Sequence, residues 1–386
     1  MAKEQNDTIE EEKGNENVKS EIPFDPNEIN ISIVPRTIGQ LVDMLEYDEI
    51  LVPKFQRLPN LWGLKQKSRF IESLMLKLPI PLFYFSEADN NKWHVIDGLQ
   101  RISALEHFIL GDVKKAGSIS NNKESFRLEK LEFRTEYNGK KWQDLPKDIQ
   151  RRINTNQVTI NLIGKATPAE VQYNIFSRIN QGGIQLTPQE IRTALFQGYR
   201  IDFIESLVSK DSLQGKAFIK ATGSSVPFRR QEDLDFATRF LAFYLLGYKK
   251  YEPDMDTFMT KATREIPLVE SKQKKIIDDF KNAMELAYYI FGKDAFRKPA
   301  ENNRRKPINK SLFEVISVHF SLLSNKEREA IKENKDIFIK EYTQLFSYEN
   351  KEQAYFFIDS ISTGTAAKDS VKKRHENFEE LIEQFI

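Results

Sequence analysis

The sequence predicts an α+β chain, with a mixed α/β region over residues 29–200 and an all-α helical region over residues 201–386. Three observations lead there. Short β-rich runs alternate with amphipathic helical periods as far as about residue 200 and then fade, leaving only the 3.6-residue spacing of helices. Hydrophobic residues make up 40% of the chain and aromatic ones 11%, with 28 Phe, which is ample for a packed core. A length of 386 residues exceeds what one core ordinarily holds, so two domains are expected.

Taken in order, residues 1–28 are rich in Glu, Asn, Lys and Asp without apolar spacing, and read as a solvated tail. ISIV from Ile31 reads as a strand, Thr37 as the cap of a helix carrying Ile38, Leu41 and Leu45, and EILVP at 49–53 as a second strand. LKQKSRFIESLMLKLP is an amphipathic helix stopped by Pro79. IPLFYFSE and WHVID then form two strands around the turn ADNNK. A helix begins after Asp97, places Leu99, Ile102, Leu105, Phe108 and Ile109 on one face, and ends at Gly111, where a left-handed residue is expected.

Beyond a polar insertion, NTNQVTINLIG supplies another strand. ATPAEVQYNIFSRIN carries Thr167, Pro168 and Glu170 at the N-cap, N1 and N3 positions, and LTPQEIRTALFQG repeats the device with Thr187, Pro188 and Glu190. The two capped helices invite a helix-turn-helix reading, but Glu190 in the first turn of the second would repel phosphates and serves the cap. DLDFATRFLAFYLLG, KKIIDDFKNAMELAYYIFG, SLFEVISVHFSLL and FEELIEQFI are the helical periods of the second half, and no fixed-period repeat is present.

Composition closes several function classes. With zero Cys there is no disulfide, thiolate nucleophile, Fe–S cluster or Cys-based zinc site, and a reducing cytosol fits. His94, His107, His319 and His375 show no metal-binding spacing. The charges nearly cancel, 58 Lys and Arg against 57 Asp and Glu, so no global field points to nucleic acid. The most apolar stretch, 236–247, is too short to span a membrane and contains Arg239, which is expected to pair with Asp235 one turn back. No secretory signal is visible, so the cytoplasm is the expected compartment. The basic runs 303–306 and 372–375 read as ordinary solvated charge.

The junction Val95-Ile96-Asp97-Gly98-Leu99-Gln100-Arg101 carries the most chemistry. Gly98 permits close backbone approach, and a helix start offers unpaired N–H groups that suit a phosphate. Arg101, one turn in, is a bidentate donor for phosphate oxygens, and Asp97 can hold a divalent cation or orient a water. The same residues also fit a plain capping box from Asp97 to Gln100, with Arg101 paired to Glu87 or Asp89. A second cluster, Pro53-Lys54-Phe55-Gln56-Arg57, places two polar donors beside an anchoring Phe. A third, Arg178-Ile179-Asn180-Gln181-Gly182-Gly183, permits a nest of amides that binds an anion, or simply caps a helix.

Together, ILVPKFQRLPNLWGLKQKSRFIESLMLKLPIPLFYF, WHVIDGLQRISALEHFILG and YNIFSRINQGGIQLTPQEIRTALFQG resemble the N-terminal domain family of GmrSD-type modification-dependent restriction enzymes, over about Ile31 to Gly198. The resemblance implies a ParB/sulfiredoxin-like fold. Asp97, Gly98, Gln100 and Arg101 fall on the family's DGQQR motif, with Leu99 replacing its first Gln. Gln56 and Arg57 match its QR pair, and Arg178, Asn180, Gly182 and Gly183 match its RIN-x-G stretch. What the resemblance implies is nucleotide binding, Mg²⁺-dependent NTP hydrolysis that regulates DNA cleavage, and a setting in bacterial defence against phage.

On that basis Asp97, Gln100 and Arg101 are the expected catalytic residues, with Asp97 the metal ligand. Gln56, Arg57, Gly98, Ser103, Arg178, Asn180, Gly182 and Gly183 are the expected nucleotide-binding residues. The expected partners are a nucleoside triphosphate, DNA and a separately encoded nuclease, with no membrane. Complete relatives carry a C-terminal HNH nuclease domain. The helical half here offers only His319 and His375, so HNH activity is not expected. The other readings are a non-hydrolysing module that senses modified DNA and, last, direct nuclease action by the ParB-like domain.

Overall fold

The computed structural model describes residues 9–10, 29–51, 62–88, 92–111, 124–179, 187–196, 198–300, 305–346 and 357–386. Contacts divide the chain into two compact units, Ile22–Leu186 with Thr193–Leu195, and Met1–Glu21 with Thr187–Arg192 and Phe196–Ile386.

The first unit is built on a five-stranded mixed sheet. β1 (Ile31–Thr37), β2 (Ile50–Leu51), β3 (Phe83–Glu87), β4 (Trp93–Asp97) and β5 (Gln157–Ile163) lie in the order β1-β5-β3-β4-β2. β1 runs antiparallel to β5 from Ile31 opposite Ile163 to Thr37 opposite Gln157, and β3 lies parallel to β5 with Phe83 opposite Ile160. The β3–β4 pair is antiparallel and irregular between Tyr84 and Phe85, which sets Tyr84 opposite Asp97 at the end that leads into the next helix. In the second expected strand Ile50 and Leu51 pair parallel with β4, and Val52 and Pro53 lie outside the described residues.

Helix α1 (Ile38–Glu46) starts as expected, from a capping box in which Thr37 and Gln40 bond each other's backbone, and it buries Ile38, Leu41, Val42 and Leu45 at helical spacing. Helix α2 (Leu64–Met75) ends four residues before Pro79. Its exit is a left-handed Lys77 at φ 55°, with Leu78 N–H reaching back to the Ser73 carbonyl at 2.9 Å, so the local C-terminal turn acts before the proline does. Helix α3 (Leu99–Leu105) continues as one π turn over Glu106–Leu110. Gly111 is not left-handed, because its φ is −55°. A Cβ there would sit 2.4 Å from the His107 carbonyl oxygen and 2.7 Å from the Ser125 backbone, so the glycine serves a close chain crossing.

Phe83, Phe85, Val95, Ile102, Leu105, Phe108 and Ile160 form the centre of this unit's core. Beside it, Lys67 Nζ lies 3.2 Å from His107 Nδ1, and the His107 Nε2 lies 3.1 Å from the Glu124 carbonyl oxygen. Burial and the Lys67 charge push His107 down to about 4. Helix α4 (Lys147–Asn154) precedes β5, and α5 (Ala169–Ile179) follows it. The Thr167 hydroxyl, two residues before α5, exchanges hydrogen bonds with the Asn30 backbone at 3.1 and 3.3 Å, tying the exit of β5 to the entry of β1. In α6 (Pro188–Leu195) the expected capping box is present, with Thr187 and Glu190 bonded reciprocally at 3.1 and 2.8 Å.

The second unit is helical. It comprises α7 (Tyr199–Val208), α8 (Leu213–Thr222), α9 (Glu232–Leu246), α10 (Met255–Arg264), α11 (Glu270–Phe291), α12 (Lys310–Leu322), α13 (Asn325–Glu333), α14 (Lys335–Gln344) and α15 (Lys368–Glu383). Phenylalanines from four of these helices meet at its centre: Phe218, Phe236, Phe240, Phe280 and Phe313 lie in stacked, tilted and edge-on pairs. Residues 9 and 10, expected in a solvated tail, lie against this unit through an Ile9–Ile308 bridge.

Candidate functional site

The DGLQR junction forms where β4 ends and α3 begins. Gly98 takes φ 100° and ψ 9°, a left-handed conformation that L side chains rarely adopt. A Cβ at this position would also meet the Phe83 ring, 2.5 Å from Cδ1 and 2.9 Å from Cε1. Glycine is therefore required twice, and the close neighbour is the Phe83 ring of β3. Gly98 gives α3 no side-chain cap, so the expected capping box from Asp97 to Gln100 does not form.

Arg101 lies one turn into α3, buried, with its guanidinium 4.3 Å from the centroid of the Phe83 ring. Its Nη2 donates to Asp97 Oδ2 at 2.9 Å and to the Leu82 carbonyl at 3.0 Å, and its Nη1 donates to the Pro81 carbonyl. Burial lowers the arginine's pKa from its ordinary value, and the Asp97 carboxylate opposes that shift. The fork pairs with Asp97 rather than Glu87, because a carboxylate four residues back on the strand end reaches it directly, and Asp89 lies outside the described residues. The planar fork thus fixes the Asp97 rotamer and the strand entry at Pro81–Leu82 at once.

Asp97 is the more open partner. Its side chain is 41% exposed against 10% for Arg101, and among the described residues only Oδ2 has a hydrogen-bond partner. Gln100 is half-buried, and its Oε1 accepts from the Trp62 amide at 3.2 Å. Leu99, which stands where the resembled motif has glutamine, packs against the margin of the hydrophobic core. Ser103 is buried on α3, and Arg178 is exposed in the last turn of α5. The structure therefore gathers Asp97, Gly98, Gln100 and Arg101 at one junction. Gln56, Arg57, Asn180, Gly182 and Gly183 lie outside the described residues. Among the described residues no group of three His, Asp or Glu side chains is placed to hold a metal ion.

Residues 38–197 match the family model described as GmrSD restriction endonuclease, N-terminal domain. The chain carries a GmrSD-type N-terminal domain. Its bounds take in α1 to α6 and the DGLQR junction, and the described helical unit beyond Phe196 lies almost wholly outside them. No curated protein and no solved structure matches the chain. The likeness is to the N-terminal domain of a restriction endonuclease and covers residues 38–197, and no helix among the described residues is long and apolar enough to cross a membrane.

A second polar cluster went unseen in the sequence. In the helical unit, Glu314 of α12 is fully buried and receives Arg239 Nε of α9 at 2.8 Å, Arg374 Nε of α15 at 2.8 Å and His375 Nε2 at 3.0 Å. His375 Nδ1 in turn lies 3.1 Å from His319 Nε2, and the Tyr248 ring stacks on His375 at 4.7 Å. Arg239 was expected to pair with Asp235. That carboxylate instead receives Arg192 at 2.9 Å and Lys310 at 2.8 Å, while Arg239, one turn along the same face of α9, reaches Glu314, one turn beyond Lys310 on α12. Burial alone would raise Glu314, but Arg374, Arg239 and His375 hold it down at about 2, while burial pushes His319 down to about 3 and also lowers His375. The signal available in the sequence was a lone acid, Glu314, in one apolar helix and a lone base, Arg239, in another.

Proposed function

We propose that the GmrSD-type domain, read as ParB-like, binds a nucleoside triphosphate with Mg²⁺ at the DGLQR junction and hydrolyses it, as a switch for DNA cleavage by a separately encoded nuclease in phage defence. One observation carries the reading: Asp97 is held in a single rotamer by Arg101 while its second carboxylate oxygen has no partner among the described residues. A carboxylate placed so is suited to order a water or a cation. Mg²⁺ takes one or two protein carboxylates and completes its shell with waters and phosphate oxygens, so a single open aspartate fits its needs. The ion, when bound, would neutralise charge on the phosphates.

In this reading Arg101 is a positioning residue first, since three of its donor contacts already go to protein oxygens. Gln100 orients the ligand beside Asp97. Gly98 and Ser103, with Gln56, Arg57, Arg178, Asn180, Gly182 and Gly183, supply the remaining contacts to phosphate and sugar.

The test is phosphate release from ATP, GTP, CTP and UTP by the wild type and Asp97→Ala, with Mg²⁺, with and without DNA. Turnover that disappears in Asp97→Ala supports the switch and identifies the base. Turnover that survives in Asp97→Ala removes the mechanism. The packing of Leu99 into the core margin favours a second reading, a non-hydrolysing module that senses modified DNA. Absence of turnover in the wild type, with DNA affinity that falls steeply as salt rises, supports that reading instead.

A further inference from the structure

The acidic start of the chain meets a cationic socket on the helical unit. The Glu10 amide donates to the Ile308 carbonyl at 2.8 Å, and Ile308 is bridged on either side, by Ile9 in parallel and by Arg297 in antiparallel. The Glu10 carboxylate then closes on two donors. Lys298 Nζ lies 2.7 Å from Oε1, and Asn309 Nδ2 lies 3.1 Å from Oε2.

Both donors are fixed by other bonds, so the socket is preformed. Lys298 Nζ also donates to Ser362 Oγ at 2.8 Å. Asn309 is 4% exposed. Its Nδ2 donates to the Ile361 carbonyl at 2.8 Å, and its Oδ1 caps α12 by accepting from the Leu312 amide at 2.9 Å. An ammonium and a buried amide donor converge here at the positive end of a 13-residue helix, in a segment that also carries Arg297, Arg305 and Lys306. The segment that fills the socket is acidic in sequence, with Glu11 and Glu12 following Glu10.

We propose that residues 9 and 10 form an exchangeable strap, held by Glu10 in a carboxylate-binding socket made by Lys298 and Asn309. The ion pair is only partly covered, at 22% and 28% side-chain exposure, so it holds weakly by itself. The occupant belongs to the same chain as the socket, so its return is an intramolecular event that a free peptide can match only in excess. A strap of this kind stays seated in the resting chain and yields to an acidic peptide supplied in excess. The socket is independent of the nucleotide reading.

The chain has no cysteine, so Thr8→Cys takes a nitroxide label at one site in the full-length protein. The label should be immobilised with the socket intact and mobile in Glu10→Ala and in Lys298→Ala. The charge exchange Glu10→Lys with Lys298→Glu should restore the slow component, and far-UV circular dichroism should show all variants folded. A synthetic peptide of residues 1–20, in excess, should free the label, whereas the same peptide with Glu10→Ala should not. A label equally mobile in every variant, a label still immobilised in Glu10→Ala, or failure of the peptide to compete overturns the strap. Release by a short DNA duplex where the peptide fails would make the socket a phosphate site and likewise overturn it.

Discussion

Each unit sets an arginine on a carboxylate, and the two pairs are built to opposite ends. Glu314 in the helical unit has no exposed surface, and two arginines and a histidine converge on it. Asp97 in the N-terminal unit is 41% exposed, and Arg101 engages one of its oxygens. A buried charge is tolerated only when its neighbours compensate it in full, so removing Glu314 strands two guanidinium groups in an apolar interior. Asp97 near the surface keeps much of its hydration, and removing it still leaves the buried Arg101 its Pro81 and Leu82 carbonyl partners, so less is left unbalanced. The comparison teaches that complete satisfaction marks architecture, while an acid fixed in place yet only half engaged remains available for chemistry.

Glu314→Ala is the sharpest way to break this contrast. It should destabilise the helical unit by roughly 3–5 kcal/mol, read as a lowered urea midpoint by far-UV circular dichroism. A midpoint equal to that of the wild type would show that the buried cluster is dispensable.

Acid should then separate the two units. His319, pushed down to about 3, and His375, also lowered, stay neutral in the fold, whereas the unfolded chain protonates them near 6.5. Unfolded protein therefore binds more protons below pH 6.5. Stability is full above that value and falls as pH drops toward the folded values, by up to about 1.4 kcal/mol per pH unit for each group. Glu314, held at about 2 against an ordinary 4.5, adds a further loss as pH falls from about 4.5 toward 2. In the N-terminal unit His107, at about 4, is lowered less than His319. Trp62, Trp93 and Trp142 all belong to that unit, so tryptophan fluorescence follows it alone. Its acid midpoint should lie below the one seen by circular dichroism, and coincident midpoints would count against the two-histidine account.

At the junction, Gly98→Ala forces a side chain into a left-handed residue and against the Phe83 ring, and should cost about 1–3 kcal/mol in the fluorescence-detected transition. Arg101→Ala should cost about 1–3 kcal/mol in the same transition, since the Pro81 and Leu82 carbonyls lose their donor. Asp97→Ala should cost no more than about 1 kcal/mol while removing nucleotide turnover. A large stability loss in Asp97→Ala would turn the junction into a structural pair like its counterpart in the helical unit.

Much of this was legible before any coordinates. Thr37, Thr187 and Glu190 announced their helix starts because a cap is a contact between near neighbours in sequence. DGLQR announced a strand-to-helix junction, since a glycine between an apolar run and a helical period has few other uses. Thr167 carries a contact that no local rule announces, since its hydroxyl meets the Asn30 backbone at a distant strand entry. Gly111 misled, because its reason is the chain that crosses it at Ser125.

By itself, then, the sequence determined an α/β region followed by helices, through periodicity and neighbour spacing, and, through its resemblance to a known family, the GmrSD-type domain and the residues of its junction. Tertiary structure alone decided that Arg101 grips Asp97 and two carbonyls of a strand entry some twenty residues earlier, that Glu314 gathers Arg239, Arg374 and His375 from other helices, and that Glu10 finds Lys298. Charges pair with whatever the packed backbone brings within about 3 Å, and that distance is set by apolar burial across the whole unit.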